Sequence, residues 1–180
     1  MGSATRMYRL FSIGILMMAA GILISKAALA DDTDPDVVAS VDFNRYSGLW
    51  YEIAHAPNFF QQDCVRSTAE YKVLSADSVS VLNTCYKADG GTRDIKGVAK
   101  VVDSATPAKL KVEFETGQTG DYWIVLLDKD YGWAVVSAPK KKSLFILSRQ
   151  GPMDKYTQEK IVYTLKRRGF NTDELIYDKY

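Results

Sequence analysis

Hydrophobic and polar residues alternate most cleanly in Lys109-Leu110-Lys111-Val112-Glu113-Phe114-Glu115, where charges fall on one parity and Leu110, Val112 and Phe114 on the other. A period of two is the mark of a β-strand with one wet face. Shorter runs of the same kind predict strands over Leu49–Ala56, Thr68–Leu74, Val79–Tyr86, Asp94–Val102, Leu110–Glu115, Tyr122–Leu127, Trp133–Ala138 and Leu144–Arg149. Turn-forming clusters separate them, among them Ser75-Ala76-Asp77-Ser78, Asp89-Gly90-Gly91 and Gly117 to Gly120. Eight strands with short connections imply an all-β, up-and-down antiparallel barrel, whose closure removes the exposed edges of an open sheet.

The pattern changes period once. Lys155–Arg168 reads as a helix, with Asp154 as N-cap, Gly169 after its last turn, and an apolar stripe of Ile161, Val162 and Leu165 that can pack outside the barrel wall. Phe170 extends that stripe, and a short strand over Leu175–Tyr177 follows. In the strand over Asp94–Val102, Ile95, Gly97, Ala99 and Val101 share one parity if Lys96 and Lys100 face outward. Small inward residues such as Gly97 and Ala99 leave room in a barrel of eight strands, which is just wide enough to be filled or to hold one small ligand.

Residues 1–30 read as a cleaved export signal. Arg6 and Arg9 form a basic start, Leu10 to Ile24 carry no charge, and Ala28-Leu29-Ala30 places small residues before a cut. The apolar stretch falls short of the roughly 20 residues of a spanning helix. Residues 31–180 then form one domain, opening on an acidic, mobile stretch over 31–36. Three of the 23 basic residues lie in the leader, leaving 20 against 22 acidic ones. A net charge near −2 gives no support for a nucleic-acid partner.

Three stretches carry a family likeness: Gly48-Leu49-Trp50-Tyr51-Glu52 just after the leader, Asp121 to Tyr131, and Leu144-Phe145-Ile146-Leu147-Ser148-Arg149. In this order they resemble the signature of the lipocalins, particularly the bacterial and apolipoprotein D-like branch. The resemblance implies that Trp50 lies across the closed end of the barrel with Arg149 over its ring, and Gly48 eases the chain into the first strand. It also implies a binding protein whose ligand is a fatty acid, a lysophospholipid or a similar membrane-derived lipid. Many members of that branch are outer-membrane lipoproteins with a Cys straight after the signal. Here the first Cys is Cys64, so the expectation is a periplasmic or secreted protein without a lipid anchor.

Candidate ligand contacts on the inward parity are Tyr71, Val73, Ile95, Val101, Leu110, Val112, Phe114, Tyr122 and Ile124, a mostly apolar lining with a few hydroxyls. Phe59 and Phe60, adjacent in the loop after the first strand, either bury against the rim or meet a ligand or the outer membrane. Cys64 and Cys85 form a disulfide, as an even count in an exported chain suggests. If the intervening turn centres on Ala76-Asp77, Cys85 lies opposite Thr68 and the segment over 64–67 must bend back to bring Cys64 within reach. The alternative is an enzyme, an isomerase or redox protein, using Cys64 as a free thiol. Chemistry is otherwise scarce: His55 is the only histidine and reads as a rim residue, and no phosphate loop, CxxC or nucleophile elbow occurs. No metal and no cofactor are expected, and the particle is a monomer or weak dimer.

Overall fold

A computed structural model describes residues 33–180, and the leader expectation lies outside the described residues. The chain forms α1 (Phe43–Tyr46), β1 (Gly48–His55), β2 (Cys64–Ser75), β3 (Ser78–Lys87), β4 (Thr92–Val101), β5 (Lys109–Phe114), β6 (Thr119–Leu127), β7 (Trp133–Ser137), β8 (Leu144–Ser148), α2 (Lys155–Arg167) and β9 (Ile176–Tyr177). A single 3-10 turn at Pro139–Lys141 links β7 to β8. Strands β2 to β8 pair in sequence, and β1 pairs with both β8 and β2, so the barrel is closed.

Strand β1 is shared between three partners. Its first half pairs with β2, from Gly48 opposite Tyr71 to Tyr51 opposite Thr68. Beyond that the two strands part, and β9 enters the gap with Tyr177 opposite Ala54. The Asp178 amide donates to the Ile53 carbonyl and the Lys179 amide to the Val65 carbonyl, so the C-terminal segment completes the upper wall.

Two cores divide the apolar residues. Inside the barrel, Trp50, Tyr71, Val81, Ala99, Leu110, Val112, Ile124, Val136 and Leu147 pack with Tyr46 of α1. Outside, Ile161 and Leu165 of α2 and Phe170 beyond it cover Trp123, Val125, Val135 and Ile146. Helix α2 keeps the expected caps: Asp154 accepts from the Thr157 amide at 2.9 Å, and Gly169 adopts φ 76°. Residues 33–41, expected to begin as a mobile acidic stretch, are tied down instead. Asp34 accepts from the Lys140 amide, the Val38 amide donates to the Ile124 carbonyl, and Val37, Val38 and Val41 pack on the cores.

Gly97 corrects the reading of small residues as empty space. A Cβ there would sit 2.7 Å from the Glu113 carbonyl oxygen and 3.0 Å from the Phe114 ring, so glycine is needed for close strand approach. Ala99 is likewise buried within the core.

Candidate functional site

The closed end is a hydrogen-bonded plug. Asp42 caps α1 by accepting from the Asn44 and Arg45 amides, and Gly48, at φ 99°, then turns the chain into β1. Trp50 is wholly buried and its Nε1 donates to the Tyr46 carbonyl at 2.8 Å. The Arg149 guanidinium lies 3.9 Å from the Trp50 ring centre and donates to the carbonyls of Leu49, Arg45, Tyr46 and Ser47 at 2.7–3.0 Å. Four carbonyls that would otherwise face each other share one cation, which is why Arg and not Lys suits this place.

Three tyrosines cross the barrel above the plug. The hydroxyls of Tyr46 and Tyr122 lie 2.7 Å apart, and Tyr122 donates to Tyr71 at 2.9 Å. Burial raises the pKa of all three phenols well beyond its ordinary value, so they stay neutral. Together with Leu110, Val112 and Ile124 they fill the lower half of the barrel.

That filling sorts the residues expected to line a ligand. Tyr71, Leu110, Val112 and Ile124 are packed into the lower core, and Tyr122 joins them through its hydroxyl. Val73 shares their parity, opposite Val79, but lies beyond the start of β1 and is 39% exposed. Val101 is half-buried at the same end, its amide bonded to the Asp77 carbonyl. Ile95 and Phe114 reach the upper half, where they and Phe145 stay half-buried. Phe59 and Phe60 do not bury against the rim: they are 69% and 52% exposed and stack on each other at 3.8 Å.

The open end holds a polar knot that periodicity did not reveal. Glu52 shares the inward parity of Trp50. A register shift between Glu52 and Ala54 then turns His55 inward as well, opposite Phe145. His55 was expected at the surface or rim and is instead 4% exposed, because that irregularity reverses the alternation. The loop after β1 folds back over them. Gln61 donates from Nε2 to Glu52 Oε1 at 2.7 Å and to Ser67 Oγ at 3.0 Å, and Asn58 donates to Gln61 Oε1 at 2.7 Å. His55 Nδ1 donates to the Ala56 carbonyl at 2.9 Å, and Asp178 accepts from the Ser67 amide at 2.5 Å. Tyr180 donates its hydroxyl to the Glu52 carbonyl.

Burial first, and then the neighbouring Asp178 carboxylate, push the Glu52 carboxyl well above the usual carboxylate range. Burial also raises Asp178 to about 6, against the opposing influences of the Ser67 amide and the Arg66 charge. Beside this knot a cavity of about 420 Å³ opens between the loop and β9, lined by His55, Pro57, Asn58, Phe59, Gln61, Gln62, Cys64 and Ile176. A larger concavity of about 600 Å³ lies on the outer face of β2 to β5. Glu70, Lys72, Leu82, Lys96 and Glu113 line it from the solvent side, together with Val81, Gly97 and Phe114 of the inward parity.

The loop is pinned from outside too. Arg93 donates to both Asp63 oxygens and to the Phe60 carbonyl. Lys87 and Arg93 together hold the Asp63 carboxyl down at about 2. Cys64 and Cys85 are bridged, with Cα atoms 5.4 Å apart. Their register differs from the simple hairpin reading. An irregularity between Val73 and Ser75 places Cys85 opposite Ser67, and another between Cys64 and Arg66 brings the two cysteines together. A bridged Cys64 offers no free thiol for the enzyme alternative.

Residues 41–179 match the lipocalin-like domain family. This chain is a lipocalin. It is 35% identical over 142 residues to the outer membrane lipoprotein Blc of Vibrio cholerae, covering 78% of this chain and 83% of that one. It is 34% identical over 115 residues to apolipoprotein D of Macaca fascicularis, 63% and 60% of the two chains. Insecticyanin from the tobacco hornworm Manduca sexta superposes with a TM-score of 0.65 at 20% identity, over 84% of this lipocalin and 86% of that chain. That likeness supports the barrel alone. The family is one that binds small hydrophobic ligands.

Proposed function

We propose that this lipocalin binds a small hydrophobic ligand of the fatty-acid or lysophospholipid kind and carries or stores it outside the cytoplasm. The observation that carries the reading is the contrast within the barrel: a filled lower half beneath an upper half whose inward Ile95, Phe114 and Phe145 keep partial exposure beside a mouth cavity. Apolar ligand surface would leave water there at about 25 cal/mol per Å². About 300 Å² of acyl chain gives a gross gain near 7–8 kcal/mol, from which association costs are subtracted. Exposed Phe59 and Phe60 suit peripheral contact with a membrane from which the lipid is taken. The Cys64–Cys85 bridge suits an oxidising compartment. The mechanism is passive binding by a preformed cup, with no catalytic step, by a monomer or weak dimer.

Titration of the purified protein with a fluorescent fatty acid tests this. The expected result is saturable binding in the micromolar range, weakened at least tenfold by Phe114→Glu and left unchanged by Lys111→Glu on the outer face. Equal effects of the two changes, or no saturable binding, would overturn the proposal.

A further inference from the structure

The exposed side of α2 carries a stripe that the fold does not account for. Tyr156, Lys160, Tyr163 and Arg167 recur at intervals of four, three and four, which sets them on one helix face. That face points away from Ile161 and Leu165, which seat α2 on the barrel. All four are exposed, the two tyrosines to 75% and 63%. From Lys155 to Arg168 five basic residues stand against one acidic, whereas 20 stand against 22 over residues 31–180. The acid, Glu159, pairs with Lys155 at 3.7 Å, and Lys166 pairs with Asp173 at 3.2 Å, both off the stripe. Arg168 donates to the Val125 carbonyl. Among the described residues Lys160 and Arg167 enter no ion pair, and Arg167 lies 5.9 Å from the Tyr163 ring centre. A basic last turn suits the helix dipole, which explains Lys166 and Arg168. It explains neither Lys160 in mid-helix nor two tyrosines that belong to neither core.

The basic surface continues past the helix. Lys141 Nζ lies 5.8 Å from the Phe170 ring centre, which brings the loop over 139–142 beside the C-terminal end of α2. Lys142 in that loop is exposed. The Ala56 amide donates to the Leu144 carbonyl, so the loop stands at the open end, next to the segment bearing Phe59 and Phe60. A local excess of cations calls for an anionic partner, and the shape of the surface selects which one. The crest of a single helix is convex and gives a protein's side chains no concave seat. Protein interfaces are also depleted in lysine. A headgroup layer is broad and fluid, attracts Lys and Arg, and takes tyrosine rings at its boundary with the acyl chains. We propose that the Tyr156–Lys160–Tyr163–Arg167 face of α2, with the loop over 139–142, docks on a bilayer containing anionic phospholipid. Docking there brings the open end, with exposed Phe59 and Phe60, to the membrane. The inference goes beyond the carrier reading and holds whether or not the cup is loaded.

Co-sedimentation with vesicles tests this, comparing phosphatidylcholine alone with an equal mixture of phosphatidylcholine and phosphatidylglycerol. The expected result is about tenfold tighter binding of the purified protein to the anionic vesicles. Binding should weaken severalfold as ionic strength rises from about 0.01 M to about 0.15 M and the screening length shortens from about 30 Å to about 8 Å. Lys160→Glu combined with Arg167→Glu should lower the anionic binding about tenfold. Lys100→Glu combined with Lys111→Glu, an equal change of charge on the outer wall of β4 and β5, should leave it nearly unchanged. Tyr156→Ser combined with Tyr163→Ser should cut severalfold the binding that survives at the higher salt. All six positions are exposed, so the variants fold, and far-UV circular dichroism verifies it. Binding of a fluorescent fatty acid should persist in each, which separates this surface from the cup. Equal loss from the two charge reversals, or equal binding to the two kinds of vesicle, would overturn the docking face and leave the carrier reading standing. Tighter binding of the parent to poly-glutamate than to the anionic vesicles would assign the face to an acidic protein and overturn the bilayer.

Discussion

At the closed end one cation meets four carbonyls and an indole face, while at the open end two carboxyls and an imidazole share two neutral amides. The first arrangement satisfies its donors and acceptors inside the protein, and nothing remains for a visitor. The second holds carboxyls whose charged forms are destabilised by burial. Under the proposed function, stability and binding fall at opposite ends of the same strand, with Trp50 and Glu52 two residues apart on β1. A site that is to gain from a ligand has to be left unsatisfied without one.

The contrast can be broken most severely at Trp50. Trp50→Ala should lower unfolding stability by about 3–5 kcal/mol, as large buried truncations do, and urea denaturation measures it. An equally stable variant would show that the plug does not hold the base. Reducing the Cys64–Cys85 bridge, which closes a separation of 21 residues at the other end, should cost about 3 kcal/mol in the chain-entropy model. Arg149→Met keeps apolar bulk over the indole but orphans the carbonyls, and about 2 kcal/mol should be lost. Gln61→Ala, which unties the loop from Glu52 and Ser67, should cost only about 1 kcal/mol and chiefly speed ligand exchange in stopped-flow measurements. If Gln61→Ala proved as costly as Arg149→Met, the open end would be a second plug.

The smallest effect is the dependence on acidity. The folded Asp178 carboxyl, raised from 3.8 to about 6, holds its proton more firmly than it does in the unfolded chain. Its contribution is therefore full below about pH 4 and is lost as pH rises through about 6. Asp178→Asn should flatten the parent's decline over that interval in thermal melts. An unchanged slope would place the proton elsewhere.

The closed end was legible in the sequence because Trp50 and Arg149 belong to motifs with one structural use. Strand alternation correctly put Leu110, Val112 and Ile124 inside, yet it could not say that tyrosine hydroxyls would bridge the lower barrel and leave little room there. Glu52 could have been found by counting two residues on from Trp50, since both share the inward parity. His55 could not, because the irregularity after Glu52 reverses every subsequent side chain on β1. Gln61 and Asp178 come from a loop and a segment beyond the last helix, and no local pattern links them to Glu52. The same kind of irregularity, twice on β2, explains why the two cysteines meet more easily than a plain hairpin allows.

Where β1 and β2 part company, the wall is continued by residues 176–180, which join Ser67 across 111 positions of chain and Glu52 across 128. A patch gained at such distance is the dearest loop to close and the easiest to peel. Amide exchange should fade first along that seam, giving the vessel a side door next to its acidic lip.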